Sequence, residues 1–454
     1  MSFYPLSLLR KTTKTIKALL LLVALVMIAQ SSALSQATLT LQEATDFALK
    51  NAPSVKSANY DAQVAQLQTE ELIGIGLPQV SASVQYQNYL DLPTSIVPGD
   101  FFGAPGQEIK LQFGTPHNMT AGISASQLLF NGSWLVGLQA SKAYAELQNK
   151  SIRSSEIEIK EDVQQYYHLA AIAKKNVEVL SQTKAVLTQL RDETNLLFKE
   201  GFVEEQDVEM LTLSISDLDN RINAATEQEK LTINMLKFVI GMPVSQEVSL
   251  SQTADELIGT TALENTPFSA EANINVQIAE NALLLQELAL RNEKSKLLPN
   301  AAAFYNLQTQ ALRQEFNFSN TSKAWFPIQL WGVQMNIPIF TGGSQAKSIE
   351  KAKVEVQRSK DVLNTAKEGA FVAYQSSKIS YDFALKNYEN AKQSLSLSQR
   401  ILDKTNTKFK EGLSSSFDIS QSTSQVLQAQ GTFIQALLNL LDAETAMKKA
   451  LNNL

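Results

Sequence analysis

The sequence predicts a mainly α-helical chain with a small β part, built from one unit used twice. Three observations lead there. Phe198-Lys199-Glu200-Gly201 recurs unchanged as Phe409-Lys410-Glu411-Gly412, 211 residues on, and each copy is followed by an aspartate, Asp207 and Asp418. Long segments run almost free of helix breakers, with no proline from Ser133 to Phe198 and Gly137 the only glycine. Each half also holds two short alternations of apolar and polar residues. Phe130-Asn131-Gly132 answers Phe340-Thr341-Gly342, 210 residues on, and Leu77-Pro78 answers Leu298-Pro299. A unit of about 210 residues is far longer than the roughly 20–50 residues of a solenoid repeat, so the chain is an internal duplication.

In chain order, residues 1–37 come first and read as a secretory signal. Arg10, Lys11, Lys14 and Lys17 form a basic start, Ala18 to Ala29 is apolar, and small residues at Ser31, Ala33, Ser35 and Ala37 follow. Cleavage after Ala33 or after Ala37 fits the small-x-small pattern. The apolar core is short for a membrane span of roughly 20 residues. The first repeat is expected over 38–243. Leu41 to about Ile75 has helical periodicity, interrupted by Pro53 and ended by Gly74, Gly76 and Pro78. Val80, Ala82, Val84 and Tyr86 alternate with Ser81, Ser83, Gln85 and Gln87, a strand with one polar face. Leu90 to Asn118 is rich in Pro and Gly and reads as a long loop. A second strand runs through Ala121, Ile123 and Ala125 and closes at Asn131-Gly132.

A long helix follows. Leu180, Leu187 and Thr194 against Thr183, Leu190 and Leu197 give the alternating three- and four-residue steps of a coiled-coil-like seam. The 69 residues from Gly132 to Gly201 would make a helix of roughly 100 Å at about 1.5 Å per residue. A second helix returns from about Glu204 to Ile240 and stops at Gly241-Met242-Pro243. A linker, 244–270, leads to the second repeat, 271–454. That repeat has a helix near Asn275–Lys296, a strand near Asn300–Gln310, and a strand from Leu330 to Ile339. In the latter, Trp331, Val333, Met335, Ile337 and Ile339 form one apolar row opposite Gly332, Gln334 and Asn336. A long helix to Lys410 and a final one from about Phe417 to Asn452 complete it.

Composition excludes several functions. Removing residues 1–37 takes away four basic residues and no acids, moving the formal charge from −6 to −10, which argues against nucleic acid as a partner. With no cysteine, the chain has no disulfide, thiolate metal site or lipid-bearing N-terminal cysteine. His117 and His168 are the only histidines, and each reads as a loop or helix-surface residue. No phosphate loop, catalytic triad or metal-ligand cluster emerges, and Glu156, Glu158, Glu161 and Asp162 read as a solvated helix face. The chain reads as neither an enzyme nor a cofactor binder. Half-apolar strands carry the weak signature of a transmembrane barrel. Four cannot close one, since membrane barrels begin at about eight, so a membrane-spanning form requires oligomerisation.

Leu41-Gln42-Glu43-Ala44, Ala48, Asn51-Ala52-Pro53 and Leu77-Pro78 resemble the start of the TolC family of outer-membrane efflux proteins. The paired long helices, Leu236 with Gly241-Met242-Pro243, and the twin aromatic-x-x-Gly-x5-Asp turns are similar to that family as well. The resemblance covers about residues 38–453. It implies a homotrimer whose four strands per protomer make a twelve-stranded β-barrel in the outer membrane of a Gram-negative bacterium, continued by an α-helical tunnel through the periplasm. It implies an exit duct for drugs and small molecules in a tripartite pump, with a periplasmic adaptor and an inner-membrane RND-type or ABC-type transporter as partners. A type I protein secretion duct is the alternative, and a periplasmic coiled-coil scaffold without a barrel is a further one. By the same resemblance, Asp207, Asp418 and Phe409 form a periplasmic gate, and Gly201, Phe202, Val203, Gly412 and Leu413 form turns where the adaptor docks. Trp331, Val333, Met335, Ile337 and Ile339 face lipid. The sequence departs from the family at Ser414, where members carry an arginine that helps latch the gate, and at Gln421, where they carry an acid.

Overall fold

The computed structural model describes residues 37–103, 105–258 and 267–454. The secretory signal therefore lies outside the described residues, apart from Ala37. The chain forms β1 (Ala37–Leu39), α1 (Leu41–Asn51), α2 (Pro53–Ile75), β2 (Gln79–Asn88), β3 (Thr94–Pro98), a 3-10 turn (Gly99–Phe102), β4 (Glu108–Gln112) and β5 (His117–Asn131). Then come α3 (Gly132–Lys199), α4 (Glu205–Ile240), β6 (Val248–Leu250), α5 (Ile274–Ser295), β7 (Asn300–Arg313), β8 (Phe326–Asn336), α6 (Ser344–Lys410) and α7 (Ser416–Ala450). Two compact units result, and they do not follow the repeats: each takes segments from both halves.

One unit comprises residues up to Ser57, Ser154–Ala270 and Ala370–Leu454. Its core gathers Ala44 and Ala48 of α1, Val163 and Tyr167 of α3, Leu236 and Ile240 of α4, and Leu437, Leu440 and Leu441 of α7. The capping box of Thr40 with Glu43 starts α1. A buried hydrogen bond ties β1 to the helices: the Tyr167 hydroxyl donates to the Leu39 carbonyl at 2.8 Å. β1 pairs in parallel with β6, Ala37 opposite Val248, so the linker contributes a strand that its mixed composition did not suggest. His168 is a correction. Only 4% exposed, it is a core residue of this unit rather than a surface one, and its Nδ1 has no partner.

The other unit comprises Ala58–Arg153 and Glu271–Gly369. It is centred on a four-stranded antiparallel sheet ordered β2-β5-β7-β8. The register sorts its residues onto two faces. One carries Val80, Val84, Ile123, Ala125, Tyr305, Leu307, Trp331 and Val333, and the other Ser81, Ser83, Ser124, Thr120, Asn306 and Gln308. The strands hold one permanent charge, Arg313 at the end of β7. Where the sheet meets the helices, the Trp134 indole Nε1 donates to the Leu72 carbonyl at 2.8 Å. The ring occupies the space a Cβ at Gly76 would need, so glycine there is a steric requirement.

Three expectations for this unit are revised. Residues 90–118 are not a bare loop, because β3 and β4 pair within them and His117 begins β5. β8 ends at Asn336, leaving Ile337 and Ile339 beyond the strand, since Pro338 lacks the N–H a ladder needs. β8 also begins earlier, at Phe326, and its alternation inverts there, with Ile328 and Leu330 on the polar face and Gln329 on the apolar one. Among the described residues no helix is long and apolar enough to cross a membrane.

Candidate functional site

The duplicated turns close in the same way. At the end of α3 the Gly201 N–H donates to the Phe198 carbonyl at 2.9 Å and the Phe202 N–H to the Leu197 carbonyl at 2.9 Å. At the end of α6, Gly412 donates to Phe409 at 2.9 Å and Leu413 to Lys408 at 2.8 Å. This is the Schellman pattern, which needs a left-handed residue after the helix; Gly201 (φ 80°) and Gly412 (φ 74°) supply it. The residue after each glycine is thrown outward, Phe202 77% and Leu413 71% exposed, whereas Val203 is half-buried.

Asp207 and Asp418 then start the returning helices. Each is the third helical residue of a capping box. Asp207 accepts from the Glu204 N–H at 3.2 Å, and Asp418 from the Ser415 N–H at 2.9 Å and the Ser414 hydroxyl at 2.9 Å. The Ser415 N–H, then the Ser415 and Ser414 hydroxyls, hold the Asp418 carboxyl below its ordinary range. Ser414 thus gives Asp418 a local donor.

Phe409 and its counterpart Phe198 are not equivalent. Phe409 is 6% exposed and packs with Leu187, Leu190, Leu211, Leu218 and Ile419, whereas Phe198 is 37% exposed. The predicted seam is there: Leu180, Thr183, Leu187, Leu190 and Thr194 are buried, while Leu197, in the last turn of the helix, is half-buried. Around it the two hairpins, α3/α4 and α6/α7, are bound by contacts that the sequence did not reveal. Lys410 pairs with Glu193 at 2.6 Å, the Ser416 hydroxyl reaches Met210 Sδ at 3.5 Å, and the Gln430 amide donates to Thr183 Oγ1 at 3.0 Å. Lys410 holds the Glu193 carboxyl below its ordinary range, with Gln189 adding a second hydrogen bond. The ion pair is exposed and adds little energy; the buried aromatic dominates. Lys184 bridges to Asp219 at 2.5 Å within the first hairpin.

Trp331, Val333, Met335, Ile337 and Ile339 are all exposed in the single chain. The first three share the apolar face of the sheet. Both edge strands, β2 and β8, present unpaired backbone groups. No group of three or more potential metal-ligating side chains occurs among the described residues. The two turns thus present exposed apolar side chains, Phe202 and Leu413, beside a buried one, Phe409.

Residues 269–453 match the family described as outer membrane efflux protein. No curated protein sequence matches the chain significantly. Among solved structures, the chain is similar to CusC, reported in connection with transmembrane channel formation, at 15% identity over 90% of this chain and 91% of that one, with a TM-score of 0.74. It is similar to the open-state MtrE outer membrane channel of Neisseria gonorrhoeae at 16% identity over 90% and 88%, TM-score 0.71. The outer membrane protein VceC of Vibrio cholerae gives 14% identity over 90% and 95%, TM-score 0.67.

Proposed function

We propose that this chain, which carries an outer membrane efflux protein domain and has the fold of the outer-membrane channels, is the passive outer-membrane exit duct of a tripartite efflux pump. The observation that carries it is the sheet: four long strands with one apolar face, one polar face and two bare edges. Neither water nor lipid tolerates that alone. Lipid admits β-structure only as a closed barrel, and three copies of four strands close a twelve-stranded one with the polar face lining the lumen. From Ala301 to Ala311 the apolar face rises about 34 Å along β7 at ~3.4 Å per residue. Tilted by ~40°, that is about 26 Å of height, close to the ~25 Å apolar band of such barrels.

The helical hairpins then form the periplasmic tunnel, and the twin turns its docking and closing end. Phe202 and Leu413 are the exposed contacts for a periplasmic adaptor. Asp207 and Asp418 repeat around the trimer as acidic rings that favour cations, and Phe409 holds the second hairpin in its closed position. The duct itself does no chemistry, so an inner-membrane transporter supplies the energy and chooses the cargo.

The test contrasts the faces. Trp331 lies in a middle row of the apolar face, so Trp331→Lys should cost about 2–4 kcal/mol in lipid and deplete heat-modifiable trimers from outer membranes. Gln308→Lys, on the lumen face, should leave trimers intact and shift ion selectivity toward anions. Undiminished trimer from Trp331→Lys, or a mature protein fully soluble without detergent, would sink the barrel reading.

A further inference from the structure

β8 changes sides partway along. On the face opposite Trp331 and Val333 it carries Leu330, Ile328 and Phe326, all exposed, where the interior of a water-filled barrel is otherwise polar. Their cross-strand partners on β7 are Asn306, Gln308 and Gln310. At the foot of the row Phe304 pairs with Gly332, and a Cβ at Gly332 would come within 2.8 Å of Phe304 Cζ. The glycine thus lets the Phe304 ring lean across onto β8. Two parallel stripes result, one apolar and one of side-chain amides. From Gly332 to Phe326 they run about 20 Å at ~3.4 Å per residue. In the four described strands this face carries no charged side chain, since Arg313 pairs with His117 on the other one.

We propose that the two stripes form a contact track on the barrel wall for uncharged amphiphilic molecules on their way out; the proposal rests on the barrel reading above. The apolar row takes a flat apolar face, and the amides of Asn306, Gln308 and Gln310 donate to and accept from the polar edge beside it. An ionised group finds no opposite charge on this wall, so the track favours neutral molecules.

Covering exposed Ile328 and Leu330 removes apolar surface from water, which supplies the attraction. Each position offers little area, so the contacts are weak and repeated, the condition under which a solute can both enter and leave a pore. Three copies would set three such tracks around one lumen. The transporter still chooses what enters; the track acts on what is leaving.

The probe is 2-naphthyl β-D-glucoside, which has an aromatic face and a hydroxyl edge without charge; glucose has the hydroxyls alone. With the full-length protein in planar bilayers, the glucoside should interrupt the single-channel current and glucose should not. Ile328→Ser with Leu330→Ser removes about 60 Å² of apolar contact, which at ~25 cal/mol per Å² should raise the half-blocking concentration roughly ten-fold. Equal block in parent and variant, or block by glucose as strong as by the glucoside, overturns the track. Because the chain has no cysteine, single cysteines read the facing separately. In outer-membrane vesicles, Ile328→Cys and Leu330→Cys should react with a membrane-impermeant maleimide, and saturating glucoside should slow them at least two-fold. If neither reacts, or the glucoside fails to slow them, the inference is overturned even where the serine variant does not assemble. A parent protein that forms neither trimer nor channel overturns the proposed function instead.

Discussion

Phe409→Ala removes the side chain that closes the second hairpin onto the first. Phe409 is 6% exposed and packs among Leu187, Leu190, Leu211, Leu218 and Ile419. Truncating a buried phenylalanine costs about 3–5 kcal/mol, and the lower end suits a site near a helix terminus that can partly collapse. A loss of ~3 kcal/mol raises the population of the open hairpin roughly a hundred-fold. Lys410 and Glu193 offset little of this, because an exposed ion pair contributes at most about 1 kcal/mol. Hydrogen exchange on detergent-solubilised protein should show the change locally. Amides from Ser416 to Val426 should lose about two orders of magnitude of protection, while those around Leu437 to Leu441 keep theirs. Phe198→Ala, at a residue 37% exposed, should do much less to the hairpin of its own chain. Unchanged protection near Ile419, or a uniform loss along α7, would refute the account of Phe409 as the local fastener.

Two further predictions concern titration and the gate. Burial, with Lys448 adding to it, lowers the His168 pKa from 6.5 to about 4, so the folded chain resists a proton that the unfolded chain takes. The associated stability is full above pH 6.5 and is lost as pH falls toward 4, by up to about 3 kcal/mol. Asp442 opposes it, since burial raises its pKa to about 6 and acidification through that value relieves a buried charge; being partly solvated, it compensates only in part. Thermal unfolding from pH 7 to 4.5 should therefore show a weaker acid loss in His168→Gln than in the parent, and parallel curves would exclude His168 as the source. Asp207→Ala with Asp418→Ala removes both capping boxes and, in the proposed trimer, both acidic rings. Single-channel conductance should rise and cation selectivity fall, and Asp418, whose folded pKa is lowered, should give up its stabilising effect as pH drops below 3.8. If conductance and selectivity stay as they were, neither residue belongs to the gate.

Much of the fold was legible because its punctuation is local. Gly201 and Gly412 mark reversals that only a left-handed residue permits, and the breaker-free run to Phe198 is one helix. Strand alternation at Val80–Tyr86 needs only period two. What the sequence hid depends on distant partners. β1 and β6 are three residues each and exist because they pair with one another. The β3–β4 hairpin sits in a Pro- and Gly-rich stretch, although Ile109 and Leu111 between Glu108, Lys110 and Gln112 did alternate. Ile337 and Ile339 continued the apolar row by spacing, and Pro338 ended the ladder that would have used them. At the turns, aspartate and glycine could be found from the repeat, but not that Phe409 is enclosed and Phe198 open. Identical tetrapeptides carry no trace of which copy is covered.

The bare edges of the β2-β5-β7-β8 sheet bear on how the protein is made. A newly exported chain has no stable resting place for that sheet, since its ladder ends are unsatisfied on both sides and one face repels water. In the proposed barrel, insertion and association are then one event, with a rate that climbs steeply with the local concentration of chains. Before that event the strands are hazardous to their surroundings, because open edges recruit any extended segment they meet. Biogenesis would require an escort that masks strand edges and lets go only where further copies are at hand.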